Sequence, residues 1–217
     1  MKSIIFTGDN PAKVRDGSKT QTRRIVKPQP PSNTGEILYD FFAEHWVAMD
    51  NYVDRQCRNR ILEPINSRYT VGDVLYVKEE IYFRESDGIT AYRDGNISTH
   101  PSALIGRRLT NNPPADDGWP DNYYTFDFVK RSPMFMPRWA ARTFIEITGV
   151  RCERVQDISE DDAKAEGVRE SIILPGDCGS FVSTFAYTWD EIHHKTKQHT
   201  WAANPWVFVY EFKRVEQ

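Results

Sequence analysis

The segment NPWVFVYEFKRV, Asn204 to Val215, limits what the chain can fold into more than any other stretch. It is aromatic and β-branched and almost continuously apolar, so it reads as a strand that has to be buried. Two earlier segments show the matching alternation. In YTVGDVLYVKEEIYFR (Tyr69 to Arg84), Val74, Tyr76 and Lys78 alternate with Leu75, Val77 and Glu79, and a Gly72-Asp73 turn leads in. In RTFIEITGVRCERV, Phe144, Ile147, Val150 and Val155 are the expected core contributors. Ser3 to Phe6 is a short apolar strand, and Thr22 to Lys27 looks extended. ITAYRDGNIST reads as a hairpin through its Asp94-Gly95 pair. The stretch EILYDFFAEHWVAMD suggests another hairpin whose turns the pattern leaves unplaced.

Helix signals are short and interspersed. Asn10 can cap a helix with Pro11 at its first position and Gly17 as its stop. In SEDDAKAEG, Ser159 is the cap, Asp162 completes an S-x-x-D box, three acids fill the first turn and Gly167 ends it. Phe181, Phe185, Trp189 and Ile192 recur at helical spacing, which predicts a helix from about Phe181 to His194. KPQPPSN and the Pro-, Asn- and Asp-rich stretch from Ser102 to Tyr124 read as loop. Strands and three short helices without regular β-α alternation predict an α+β fold. Its mixed or antiparallel sheet is expected to close into a small barrel.

The 217 residues suit one domain with insertions. A formal charge of −3 excludes a polycation, so any nucleic-acid partner must meet a local basic patch. No apolar run approaches a membrane span, and the start of the chain does not read as a signal peptide. Cys57, Cys152 and Cys178 are odd in number and widely spaced, which fits a reduced, cytoplasmic protein.

The basic stretch DGSKTQTRR, Asp16 to Arg24, raises the question of function. One reading is solvated cations pairing with the many local acids. The other is an anion or nucleobase site. Gly17 permits a sharp turn, and an extended segment puts Thr22 and Arg24 on one face near Lys19. A hydroxyl and a guanidinium placed so suit a phosphate or a polar base edge.

GSKTQTRR resembles the G-x-K-x-x-x-x-R signature of ASCH domains, a branch of the PUA-like fold, with Gly17, Lys19 and Arg24 at the matching positions. DGSKTQTRRIVKPQP, VGDVLYVKEE, FMPRWAARTFIEITGVRCERVQDISEDDAKAEGV and NPWVFVYEF each look like blocks of phage and prophage ASCH-like proteins. The resemblance implies a single domain over 1–217. It would be a small, mostly antiparallel PUA-like barrel flanked by short helices, with insertions at about 28–66 and 86–131. It also implies a cleft for nucleic acid or a modified nucleoside, in the host cytoplasm if the chain is phage-encoded. One compact branch removes the acetyl group from N(4)-acetylcytidine with a lysine, a threonine three residues on, and a later glutamate. Lys19 and Thr22 match that spacing; Glu79 is the candidate glutamate and Glu80 its neighbouring alternative. In such an amidohydrolase the threonine needs a base, a lysine can serve only when neutral, and Arg23 and Arg24 could hold it so. The alternatives are a non-catalytic RNA- or DNA-binding module and a ribonuclease.

Remaining candidates carry less. Arg138 and Arg142 around Trp139 in MPRWAAR could rim a nucleic-acid groove, or be a core Trp with two surface arginines. His193, His194 and His199 lack a ligand spacing and read as a solvated helix end, so no metal and no cofactor is expected. Trp201, Trp206 and Cys152 read as core.

Overall fold

The computed structural model describes residues 1–53, 59–84, 89–93, 97–99, 128–169 and 179–216. In chain order its elements are β1 (Lys2–Ile5), α1 (Asn10–Arg15), β2 (Gln21–Ile25), β3 (Thr34–Asp40), β4 (His45–Val53), β5 (Asn59–Ile65), β6 (Val74–Lys78) and β7 (Ile81–Arg84). These are followed by β8 (Ile89–Tyr92), β9 (Ile97–Thr99), β10 (Phe128–Arg131), β11 (Phe144–Arg154), α2 (Glu160–Ala165), α3 (Phe181–His193) and β12 (Trp206–Val215). The class is α+β: strand pairing is mostly antiparallel, with β1 on β6 parallel, and the helices are few and short. Among the described residues the ladders are open runs of strands, not the closed ring the sequence suggested. The loop expected from Ser102 to Tyr124, Asp94-Gly95, Cys57 and Cys178 lie outside the described residues.

The chain divides into two compact units. The first comprises Met1–Asp16, Val74–Ile145 and Arg214–Gln217, and the second Gly17–Asp73 and Glu146–Lys213. In the first, β1 pairs with β6, and the antiparallel sheet β10-β7-β8-β9 contains the expected 89–99 hairpin. Its core includes Ile81, Tyr92, Met136 and Ala140, against which Trp139 packs. Helix α1 is entered one residue earlier than expected: Asp9 is the N-cap and makes no side-chain cap bond, while Asn10 Nδ2 donates back to Thr7 O.

In the second unit β12 stands between β11 and β2, and β2 runs antiparallel to it with Thr22 opposite Tyr210 and Arg24 opposite Phe208. One side of this ladder carries Val207 and Val209, which pack with Val155, Ile158, Ala163, Phe185 and Trp189. Helix α2 is capped as expected, with Asp162 N donating to Ser159 Oγ at 3.1 Å. Helix α3 buries Phe185 and Trp189, but Ile192, in its last turn, is 62% exposed. On β11 the buried positions are Ile145 and Ile147, and Phe144 and Val150 are only partly covered. Strands β3, β4 and β5 form a separate sheet, in which the turn between β3 and β4 falls at Phe41–Glu44.

Candidate functional site

Strand β2 places the basic stretch. It alternates, so Arg23 and Arg24 point to opposite faces. Arg23 points into the second unit. Its Nη2 donates to Glu153 Oε1 at 2.6 Å and to Asp162 Oδ2 at 3.3 Å, and its Nη1 to Glu166 Oε1 at 3.3 Å. Arg151 ties the same acids together, donating to Glu153 at 2.9 Å and to Asp162 at 2.9 Å, and it also pairs with Glu211. Burial alone would raise the Asp162 pKa, but Arg151 and Arg23 outweigh it and hold the carboxyl below its ordinary value. Of the three acids in the first turn of α2, Asp162 therefore serves an ion-pair network and not only the helix dipole.

Lys19 precedes β2 and bridges to Glu166 at the end of α2. Its Nζ donates to Glu166 O at 2.6 Å and to Glu166 Oε2 at 2.8 Å, and both side chains are almost fully buried. Gly17, at φ +81°, lets the chain turn from α1 into this segment. Thr22 is buried on the same face of β2 as Arg24, as extended geometry predicts.

Arg24 is solvent-exposed. Nevertheless, enough protein surrounds its guanidinium that desolvation, opposed by Glu166, Tyr69 and Tyr210 and helped by Arg68, lowers its pKa. Tyr69 and Tyr210 lie beside it, with ring centroids 5.1 Å apart at 73°, and Tyr210 Oη lies 3.0 Å from Ser67 Oγ. Desolvation raises the pKa of both phenols, so they are neutral hydroxyls at pH 7. Arg68, exposed at the same place, has its guanidinium 5.5 Å from the Tyr69 ring centroid. Lys27 is exposed further along the chain and, with Arg24, acts on His193.

The other sequence candidates lie in the first unit. Glu79 is buried and accepts a bidentate pair from Arg142, Nε at 2.9 Å and Nη2 at 2.8 Å, and also two contacts at 3.3 Å from Arg15 Nη1. The Arg142 guanidinium stacks 3.8 Å above the Tyr92 ring. Glu80 accepts from Tyr82 Oη at 2.9 Å and pairs with Lys130. Arg138 is exposed on a 3-10 turn, and Trp139 is half-buried against the core of that unit.

Lys19, Thr22 and Arg24 thus belong to the second unit, and Glu79, Arg138, Trp139 and Arg142 to the first. Sequence reading missed Glu166, Arg68, Tyr69, Tyr210 and Arg15. Glu166 was legible only as the residue before a helix-ending glycine, and no local pattern names the partner of a charge 147 positions away. Among the described residues no group of three His, Cys, Asp or Glu side chains is placed to hold a metal ion, and no helix is long and apolar enough to cross a membrane. Compared with known proteins, the chain matches no family model, no curated protein and no solved structure.

Proposed function

We propose that the chain is a nucleic-acid-binding protein of the ASCH type, PUA-like in fold, that seats a polynucleotide backbone against Arg24 and Arg68 of the second unit. The observation that carries this reading is Arg24 itself: an exposed guanidinium, set among Tyr69, Tyr210 and Arg68 and within electrostatic reach of Glu166. Exposed guanidinium groups suit phosphate oxygens, which they can engage with two parallel hydrogen bonds. Lys27 extends the basic surface, while the overall charge of −3 keeps the attraction local. Arg23 has a different role: its three carboxylate partners leave it to hold α2 against β2. The ordered blocks of ASCH-like sequence, including the Gly17, Lys19 and Arg24 signature, support the family reading.

The test is equilibrium binding of labelled single-stranded RNA and DNA by the purified chain. Micromolar binding that weakens on Arg24→Ala and Arg68→Ala is the expected result; unchanged binding in both variants refutes the reading.

A second reading, hydrolysis of an N(4)-acylated cytidine, draws on one further observation: Lys19 and Thr22 are both polar and both about 4% exposed in the same unit. In that reading the ion pair with Glu166 makes Lys19 a fixed cation suited to an oxyanion, and Glu166 becomes the nearest candidate proton acceptor. Glu79, held by Arg15 and Arg142, is then the remote member of the expected set. A chromatographic screen of acylated cytidines and their DNA counterparts checks it. Turnover that survives both Lys19→Met and Thr22→Val rejects this mechanism.

A further inference from the structure

A groove of about 620 Å³ lies along β3 in the second unit, on residues that the nucleic-acid reading does not use. Its lining includes Glu36, Tyr39, Phe41, Trp46, Asp157 and Trp206. The aromatic rings stand edge to face: Tyr39 and Phe41 have centroids 5.2 Å apart at 84°, and Tyr39 and Trp46 are 5.4 Å apart at 66°. Phe41 is 82% exposed, yet its turn is fixed, because Asp40 Oδ1 accepts from Phe42 N at 2.9 Å and from Ala43 N at 3.1 Å. The turn therefore presents an apolar ring to solvent in a set position, with no structural need of its own.

The lining carries three carboxylates, Glu36, Glu153 and Asp157, against one cation, Arg151, so the groove is acidic on balance. Between Thr34 and Asp50 the sequence contains Glu36, Asp40, Glu44 and Asp50 and no lysine or arginine. Glu36 and Asp157 are exposed in the lining, whereas Glu153 is committed to Arg23 and Arg151. One cation already sits on this aromatic surface: the Arg154 guanidinium is 4.4 Å from the Trp206 ring. Aromatic faces beside carboxylates attract organic cations and disfavour polyanions. In addition, β3 is an outer strand of the sheet β3-β4-β5, and five consecutive residues of it, Gly35 to Tyr39, line the groove. Such an edge can pair with an added extended strand.

We infer that this groove docks an extended polypeptide segment carrying arginine or lysine side chains. The backbone of the segment runs along β3, and its cations lie among Tyr39, Phe41 and Trp46 opposite Glu36 and Asp157.

The test is fluorescence anisotropy with a labelled hexapeptide of alternating valine and arginine, set against the same peptide with glutamate for arginine. The arginine peptide binds and the glutamate peptide does not. Phe41→Ser and Glu36→Lys, both at exposed positions that leave thermal unfolding unchanged, each weaken binding about tenfold, the loss expected on removing an anchoring contact. Absence of binding up to about 1 mM arginine peptide (a free energy of only about −4 kcal/mol) overturns the inference. So do equal affinity for the two peptides and indifference to both variants. Displacement of the peptide by unlabelled single-stranded oligonucleotide at matching concentration assigns the groove to a polynucleotide. Displacement by tetramethylammonium at the same concentration as peptide assigns it to a small cation. Either result rejects a peptide site.

Discussion

Arg23 and Arg24 are consecutive on β2 and do opposite things. Arg23, with none of its side-chain surface exposed, pairs with Glu153, Asp162 and Glu166, while Arg24 faces solvent in front of Tyr69 and Arg68. Removing the buried cation takes a charge from among three carboxylates; removing the exposed one leaves groups that water can reach. Arg23→Ala should therefore lose roughly 3–5 kcal/mol of folding stability. Arg24→Ala should stay within about 0.5 kcal/mol of the parent. Denaturant titration of both variants distinguishes them.

The Lys19–Glu166 pair joins the start of β2 to the end of α2 by a side-chain and a backbone acceptor. Both residues are buried, so each single alanine variant removes one member of a buried pair, although Glu166 keeps its contact with Arg23. A double-mutant cycle of Lys19→Ala and Glu166→Ala should give a coupling of roughly 1–3 kcal/mol in unfolding free energy. Additive effects would mean that the contact contributes nothing to holding α2.

His193 sits with its ring 4.3 Å from Trp189. Desolvation, then His199, Lys27 and Arg24, lower its pKa, against Asp190, which raises it. The folded chain thus binds this proton more weakly than the unfolded chain. Above the ordinary imidazole value, near 6.5, both states are neutral and nothing is lost. As pH falls through that value the unfolded state takes up the proton first, so stability declines until the folded imidazole titrates as well. Unfolding curves between about pH 7 and pH 5 should show this loss, and His193→Gln should flatten it.

Cys152 on β11 has a thiol that burial pushes up to about 12. The thiolate is the reactive form. Peptide mapping after brief treatment with iodoacetamide at neutral pH should find Cys152 essentially unmodified in the native chain and modified after denaturation. Rapid native labelling would contradict so high a thiol pKa.

Much of the framework was legible in the sequence because it rests on local rules. The strands at Val74–Lys78, Phe144–Arg154 and Trp206–Val215 follow from alternation and apolar continuity, and α2 follows from the Ser159 cap and Gly167. The shared face of Thr22 and Arg24 follows from the twofold repeat of a strand. What was not legible depends on pairing across the chain. The three carboxylates around Arg23 lie 130 to 143 positions away, and Arg15 and Arg142 close on Glu79 from 64 and 63 positions away. Charge pairs of this kind leave no local period. Nor could composition tell which of two adjacent arginines would be buried. That depended on the register of β2 on β12, which sets Val209 opposite Arg23 and Phe208 opposite Arg24.

The measurement that bears most directly on the central claim is the salt dependence of nucleic-acid binding with Arg24 and Arg68 present and absent. Affinity of the parent chain for a labelled single-stranded oligonucleotide should fall linearly on a log–log plot against salt, as counterion release requires. In the Arg24→Ala, Arg68→Ala double variant the slope should drop by roughly 0.7 per lost phosphate contact, and affinity at low salt should fall at least about tenfold, with unfolding unchanged. An unchanged slope and affinity in a folded double variant would contradict the account, and so would parent binding that is indifferent to salt.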